Sequence, residues 1–160
     1  MAGTEYKRPE SVLVVVCTLA GEVLLLRRTR PRHFWQSVTG SLEWHETPRR
    51  AAERELREET GLSAAGRLCD LRHSERFPII HPWRTRYAPD AHYNREHWFS
   101  LTLPGRCSIR LNPSEHGQMR WLPWQQAARR ASSWTNRRAI AHLFHLQWLN
   151  GAGVDRILSG

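Results

Sequence analysis

The chain has 160 residues, of which 40% are hydrophobic and 24% charged, a composition typical of one globular domain. It contains no apolar run as long as a membrane helix, and its first ten residues lack the basic and apolar segments of a secretory signal. A membrane span is therefore excluded and a cytoplasmic location is expected. The net charge of +9 attracts anions, but it does not distinguish nucleic acid, a polyphosphate or simple solubility.

The pattern of the first half predicts three strands before the first helix. Residues 11–20 form a β-branched apolar run, and Gly21 allows a turn into a second strand at residues 22–28. An arginine-rich loop then leads to a short predicted strand that ends at Gly40.

A helix is predicted for residues 48–60. Thr47 can cap its first turn, and Pro48 suits a first helical position. Gly61 can end the helix in the left-handed conformation.

The second half of the chain predicts further strands followed by two helices. The strands are expected at residues 67–77, 92–103 and 118–122, and the helices at 123–131 and 135–149. In the last helix, apolar residues at helical spacing predict a core-facing stripe of Ile140, Leu143, Phe144 and Trp148. We therefore expect one α/β domain with a mixed sheet over residues 1–150, and a weakly ordered tail over residues 151–160.

Three cysteines are spread widely along the chain, at Cys17, Cys69 and Cys107. An odd number without metal-ligand spacing predicts neither a disulfide framework nor a zinc site. Each lies in an apolar or strand-like segment, so we expect all three to be small, buried residues.

Three glutamates of the first predicted helix fall on one face. With Glu55 placed at 0° and about 100° per residue, Glu59 lies at about 40° and Glu58 at about −60°. Like charges at these spacings repel one another. A hard divalent cation such as Mg²⁺ relieves the repulsion because it prefers carboxylate and water oxygens. Taken alone, the three acids also fit a solvated acidic face, and Arg54 can pair with Glu58 and fix its side chain.

The segment around this helix resembles the Nudix box. That signature is Gly, five residues, Glu, seven residues, Arg-Glu, an aliphatic residue, any residue, Glu-Glu, any residue, Gly and an aliphatic residue. The matching positions are Gly40, Glu46, Arg54, Glu55, Leu56, Glu58, Glu59, Gly61 and Leu62. Trp44 and His45 differ from many Nudix boxes, in which a small or acidic residue and a glycine stand there, but the signature specifies neither position.

Resemblance to the Nudix hydrolases implies an α/β/α sandwich and Mg²⁺-dependent attack of water on a diphosphate linkage, with Mn²⁺ as a substitute. It implies that Glu55 and Glu59 are the principal metal ligands and that Glu58 is a further ligand or the general base. Gly40 would offer a backbone contact beside the metal, and Arg54 would orient the acids.

Segments outside the box resemble the bacterial branch of this family that hydrolyses dihydroneopterin triphosphate. They are YKRPESVLVVV, FWQSVTG, RYAP, HYNREHWFSLTLP, SEHGQMRWL and SWTNRRAI. The resemblance implies release of dihydroneopterin monophosphate and pyrophosphate in folate biosynthesis. The alternative is a (deoxy)nucleoside triphosphate pyrophosphatase that sanitises the nucleotide pool, with the same metal residues and a different ring pocket.

Candidate substrate residues lie on both sides of the box. For the phosphates we expect Lys7, Arg28 and Thr39, since a triphosphate requires basic and hydroxyl groups. For the flat ring, apolar and hydrogen-bonding groups are expected, namely Phe77, Ile79, Ile80, Ser133, Trp134 and Asn136. Plain core packing is the alternative for Phe77 and Trp134. Glu115 is a candidate metal ligand or general base, or else a solvent-facing loop acid.

A nucleic-acid-binding module is the rival from another class, because the chain combines its basic charge with eight tryptophans. Its basic residues are spread throughout the sequence, and the acid cluster would repel phosphates unless a metal is bound. We therefore expect a small-molecule triphosphate as the partner, with no nucleic acid or membrane. The sequence leaves open whether the protein is a monomer or a homodimer.

Overall fold

A computed structural model of the chain describes residues 5–157, with side chains described through residue 147. Seven strands and three α-helices follow one another in these residues. The strands are β1 (Glu10–Thr18), β2 (Glu22–Arg28), β3 (Trp35–Gln36), β4 (Val38–Ser41), β5 (Cys69–Pro78), β6 (Tyr93–Leu103) and β7 (His116–Pro123). The helices are α1 (Pro48–Thr60), α2 (Trp124–Arg130) and α3 (Trp134–Ile157), and a short 3₁₀ helix spans Trp83–Arg86.

The strands form one mixed sheet. Its main path runs β3-β2-β1-β6-β5, while β4 pairs with β1 and β7 pairs with β2. The β1–β6 pair is parallel, and every other described pair is antiparallel. Helix α1 therefore lies in the long connection between β4 and β5, where its residues can reach the end of the sheet.

The apolar run in β1 is buried on both faces because side chains alternate across a strand. Val12, Val14 and Val16 pack into the core that includes α1, with Leu56 among its members. The alternate residues of β1 pack into a second core on the opposite face, which contains Ile140 of α3. This layering confirms the predicted α/β/α sandwich around a mixed sheet.

Helix α1 has the predicted bounds and the predicted caps. The Thr47 side chain accepts a hydrogen bond from the Arg50 backbone N–H, and Pro48 occupies the first turn. Gly61 ends the helix with a φ of 75°, and its N–H donates to the Arg57 carbonyl. These local signals are the reason that the sequence predicts this helix to the residue.

The structure differs from the sequence expectations in several local places. The single strand predicted before Gly40 is divided into β3 and β4. Helix α3 continues to Ile157 and does not end at residue 149. Ile140, Leu143 and Phe144 are core residues as expected, but the side chain of Trp148 lies outside the described residues, as do residues 158–160.

The expectation that all three cysteines are buried is wrong. Cys17 is buried, whereas Cys69 and Cys107 are exposed, and all three are free thiols. Cys69 begins β5, which is an edge strand of the sheet, and Cys107 lies in a loop after β6. No described helix is both long enough and apolar enough to cross a membrane.

His45 stands at a position where many Nudix boxes have a glycine, and its backbone is strained. His45 has a φ of 74°, in the left-handed region that disfavours side chains with a Cβ. We expect His45→Gly to stabilise the fold by up to about 1 kcal/mol, since relief of strain exceeds the entropy cost of glycine. Urea unfolding of both proteins measures the difference. A loss of stability in the glycine variant would show that the imidazole makes a compensating contact.

Candidate active site

Two buried carboxylates of α1 lie against strand β4. Glu59 is 2% exposed, and one of its oxygens accepts a hydrogen bond from the Thr39 backbone N–H at 3.0 Å. One turn earlier, Glu55 is 9% exposed and packs on the neighbouring strand residue, Gly40. A Cβ built on Gly40 would overlap the Glu55 carboxylate, so this strand position has room for a glycine only. The helix and the strand together fix where both carboxylates point.

Burial makes both carboxylates costly to ionise. It raises the pKa of Glu55 to about 7, while the neighbouring Arg54 acts in the opposite direction. Burial also raises the pKa of Glu59 well above its usual range, with further repulsion from Glu55 and Glu115. Carboxylates packed together in this way need a positive charge to remain ionised at neutral pH.

Glu115 brings a third carboxylate to the same place from the loop before β7. One possible ligand atom from each of Glu59, Glu115 and His116 lies within 4.8 Å of the other two. Glu115 is exposed, whereas His116 is only 1% exposed. The carboxylate oxygens of Glu55, Glu59 and Glu115 form a hard donor set, which fits a divalent cation.

The imidazole of His116 is less suited to bind the cation. Its Nε2 lies 3.2 Å from the Gln36 amide nitrogen, which can only donate, so Nε2 is the acceptor and Nδ1 carries the proton. That Nδ1 has no hydrogen-bond partner among the described residues. Burial, with help from Arg28, lowers the pKa of His116 to about 4, so the ring is neutral at pH 7. His116 therefore has a neutral ring whose Nδ1–H is buried and has no partner among the described residues.

Arg54 connects the acids of the box. Its guanidinium contacts Glu46 at 2.8 Å and Glu55 at 2.8 Å, and it donates to the Ser41 carbonyl at 3.1 Å. The expected pair with Glu58 is present but longer, at 3.3 Å. Its principal carboxylate partner is thus Glu46, which precedes the helix, and Arg54 ties the loop to the helix that carries Glu55.

Glu58 is placed differently from the other two helix acids. Its side chain is 52% exposed, and it does not line the cavity that Glu55 and Glu59 share. Around the helix axis, Glu58 lies about 60° from Glu55, on the side away from Glu59. This offset turns its side chain away from β4 and towards solvent. The structure therefore brings together Glu55, Glu59 and Glu115, with Glu58 at the margin.

Glu55, Glu59 and Glu115 line one cavity of about 1170 Å³. Lys7, Arg28, Arg30 and Arg86 line it, and none of these four forms an ion pair with a carboxylate among the described residues. Partial burial and nearby Arg86 lower the pKa of Lys7. Unpaired cations close to buried acids suit a ligand that carries several phosphate groups together with a bound cation.

All the residues that the sequence suggested for the ring also line this cavity. They are Phe77, Ile79, Ile80, Ser133, Trp134 and Asn136, and Thr39 lines the cavity beside the acids. The rings of Phe77 and Trp134 meet edge to face with centroids 6.4 Å apart. Trp134 is 47% exposed, which rules out plain core packing for this residue. The cavity thus has an aromatic end and an acidic end.

Asn136 holds the aromatic end in place. Its Oδ1 accepts a hydrogen bond from the Ser37 backbone N–H at 2.8 Å, and its Nδ2 donates to the Ser133 hydroxyl at 2.7 Å. Asn136 is 3% exposed, so most of its hydrogen-bonding capacity is used within the protein. It connects the start of α3 to the break between β3 and β4.

Several residues that line this cavity could not be identified from the sequence. Arg86, Asn94, Glu96 and His116 are all lining residues. Asn94 and Glu96 lie two residues apart in β6 and therefore share one face of the strand. The alternation of residues in YNREHWFSL indicates that Asn94 and Glu96 share one face of a strand. The sequence does not show which face of that strand lines a cavity.

The chain belongs to the Nudix family: the NUDIX domain model matches residues 7–143. It is 42% identical over 139 residues to dihydroneopterin triphosphate diphosphatase of Escherichia coli strain K12, over 84% of this chain and 91% of that protein. The enzyme of the same name from Haemophilus influenzae is 38% identical over 148 residues, covering 89% of this chain and 92% of the relative.

A solved structure of the E. coli dihydroneopterin triphosphate pyrophosphohydrolase resembles this fold. The TM-score is 0.78 at 42% identity, with 84% of this chain and 94% of that chain covered. These similarities confirm the family, the fold and the enzyme class predicted from the sequence: the chain is a Nudix hydrolase.

The raised pKa values of the acids predict how stability depends on pH when no cation is bound. Burial raises the pKa of Glu55 to about 7 and that of Glu59 well above its usual range, so the folded protein holds protons that the unfolded chain has already lost. The folded protein releases these protons as pH rises, and its stability falls. His116 has a lowered pKa and gives the opposite slope, but mainly below pH 6.5.

In EDTA we therefore expect Tm to fall on the order of 5 °C between pH 6.5 and 8.5. Adding Mg²⁺ at pH 8.5 should restore most of the loss, and Glu59→Gln should show a much smaller dependence on pH. Calorimetry of both proteins provides the test. A Tm in EDTA that stays level or rises over this range would contradict the assignment of a raised pKa to Glu59.

Proposed function

We propose that this chain hydrolyses dihydroneopterin triphosphate to dihydroneopterin monophosphate and pyrophosphate, a step of folate biosynthesis. The observation that carries the proposal is one cavity lined by the buried carboxylates of Glu55 and Glu59, by unpaired cations and by aromatic side chains. A molecule with a flat ring and a triphosphate matches this combination of lining groups. The names of the two bacterial relatives support the same substrate.

We propose Mg²⁺ as the cation, with Mn²⁺ as a substitute, held by Glu55, Glu59 and Glu115. Oxygen donors alone favour Mg²⁺ over metals that prefer nitrogen or sulfur. The backbone at Gly40 lies directly against the Glu55 carboxylate and leaves room for it. When bound, the cation neutralises phosphate charge and lowers the pKa of a coordinated water. Glu58, at the margin of the site, stays a candidate for a further ligand of the cation.

The chain's own side chains orient the substrate and accept the proton. Lys7, Arg28 and Arg86 attract the phosphate oxygens and hold the chain of phosphates across the cavity. A carboxylate that lines the cavity must accept the proton of the attacking water, and Glu115 is the exposed member of that set. Arg54 does not line the cavity and instead positions Glu55 through their 2.8 Å contact.

The test of the proposed substrate is steady-state kinetics with dihydroneopterin triphosphate and dATP measured in parallel. We expect kcat/KM for the pterin substrate to exceed that for dATP, because the ring end of the cavity would then be used fully. A kcat/KM about tenfold higher for dATP would favour the sanitising pyrophosphatase instead. The acids and cations would keep their roles in either case.

We also propose a cytoplasmic location. Exposed free thiols at Cys69 and Cys107 support a reducing compartment.

A further inference from the structure

Two polar side chains of β6 lie buried at the aromatic end of the cavity. Asn94 is 3% exposed and Glu96 is 5% exposed, and both line the cavity. Phe77 is the partner of Asn94 in the β5–β6 pair, and Thr135 at the start of α3 lines the cavity beside them. Nothing in the proposed handling of phosphates uses these two residues.

Glu96 retains free capacity to accept hydrogen bonds. Its Oε1 accepts from the Trp98 indole N–H at 3.1 Å, and the Thr135 hydroxyl supplies a second hydrogen bond. An ionised carboxylate offers about four lone-pair sites, so about two remain. Burial raises the pKa of Glu96 to about 7, and the bonds from Trp98 and Thr135 oppose that rise.

Asn94 also presents an unused acceptor. Its Nδ2 donates to the Ser11 hydroxyl at 2.7 Å, whereas its Oδ1 has no hydrogen-bond partner among the described residues. A buried acceptor without a partner costs free energy, as does a buried carboxylate without a cation. Glu96 makes no ion pair in the described part of the chain. A ligand that supplies N–H donors at this place would remove both costs.

We propose that Glu96 and Asn94 form the ring-recognition site and bind a heterocycle that presents a ring N–H next to an exocyclic amino group. This is the 2-amino-4-oxopyrimidine edge, which pterins and guanine share. The Glu96 carboxylate accepts from the ring N–H and the amino group, and Asn94 Oδ1 accepts the second amino hydrogen. The inference rests on the proposed function, because it identifies the ring that the same cavity takes.

Adenine differs from pterins and guanine in the hydrogen-bonding groups of this edge. On its equivalent edge a ring nitrogen without a hydrogen stands beside the amino group, so that edge offers an acceptor where Glu96 needs a donor. A site built to hydrogen-bond a group discriminates strongly against an analogue that lacks it, because the buried polar atoms are then left unpaired. Glutamine at position 96 offers one donor and one acceptor, which matches adenine and no longer matches the pterin edge.

The test is the Glu96→Gln variant, with kcat/KM measured for dihydroneopterin triphosphate, dGTP and dATP. We expect the pterin and dGTP values each to fall at least about tenfold relative to dATP, while dATP turnover stays within about threefold of the wild type. Retained dATP turnover shows that the acids and cations still act. Equal losses on all three substrates, or no loss on any, would overturn the proposal.

The matched control is Glu75→Gln, which removes the carboxylate opposite Glu96 in the β5–β6 pair. Glu75 does not line the cavity and acts on Glu96 only through its charge, which adds to the effect of burial and raises the pKa of Glu96. The substrate ratios should therefore change far less in Glu75→Gln than in Glu96→Gln. Circular dichroism and Tm establish that each variant is folded. If Glu96→Gln fails to fold, Asn94→Ala takes its place, and the pterin-to-dATP ratio should fall about threefold or more. An unchanged ratio in that variant would count against the site.

The outcomes also separate this inference from the proposed function. If the wild type prefers dATP to the pterin substrate, the proposed function fails, and the dGTP-to-dATP ratio still tests Glu96. If the wild type prefers the pterin substrate and Glu96→Gln leaves every ratio unchanged, the proposed function stands and the ring-recognition site is wrong.

Discussion

Glu59→Gln is expected to lower kcat by about three orders of magnitude or more while leaving the fold intact. Glu59 is buried against β4, and its carboxylate is shared between the Thr39 N–H and the position proposed for the cation. Glutamine has the same size and can still accept the bond from Thr39. The substitution therefore removes the negative charge and leaves the packing unchanged.

The matched control is Glu58→Gln on the same helix. Glu58 is half exposed and lies outside the cavity, so its substitution should retain at least about tenfold more activity than Glu59→Gln. Initial rates at saturating Mg²⁺, together with the Tm of each variant, measure the difference. Equal losses at positions 58 and 59 would show that Glu58 moves into the site when metal and substrate bind. Near-normal turnover in Glu59→Gln would remove α1 from the proposed metal site.

Gly40→Ala is expected to reduce kcat by about a hundredfold through displacement of Glu55. The added Cβ would occupy the space of the Glu55 carboxylate, which Arg54 holds from the other side at 2.8 Å. The carboxylate must turn away or the strand must shift. Either movement spoils the placement of one proposed metal ligand without removing a charge.

Metal titration distinguishes this effect from simple unfolding. In Gly40→Ala the concentration of Mg²⁺ that gives half-maximal rate should rise about tenfold, with a Tm within a few degrees of the wild type. Gly117→Ala serves as a control, because a Cβ there meets its nearest atom, on the Arg27 side chain, at 3.6 Å. Wild-type kinetics in Gly40→Ala would mean that Glu55 does not need its observed position.

Local signals explain why α1 could be predicted accurately from the sequence. Thr47, Pro48 and Gly61 each act within a few residues, so the bounds of the helix follow from short-range chemistry. The spacing of Glu55 and Glu59 likewise places them on one face before any tertiary structure is known. The resemblance to the Nudix box then supplied the chemistry.

Contacts between distant segments could not be predicted in the same way. The principal carboxylate partner of Arg54 is Glu46 and not Glu58, because the loop before α1 folds back over the helix. The burial of Glu96 depends on α3 packing across β6, and the exposure of Cys69 depends on β5 being an edge strand. Such facts follow from the arrangement of the sheet, which residue spacing alone does not contain.

The central claim is that the cavity positions a pterin triphosphate for hydrolysis that releases pyrophosphate. Its most direct test is product analysis of dihydroneopterin triphosphate incubated with purified protein and Mg²⁺ in oxygen-18 water. We expect dihydroneopterin monophosphate and pyrophosphate in equal amounts, with the label incorporated into one of them. Release of orthophosphate in place of pyrophosphate, or no turnover of this substrate, would contradict it.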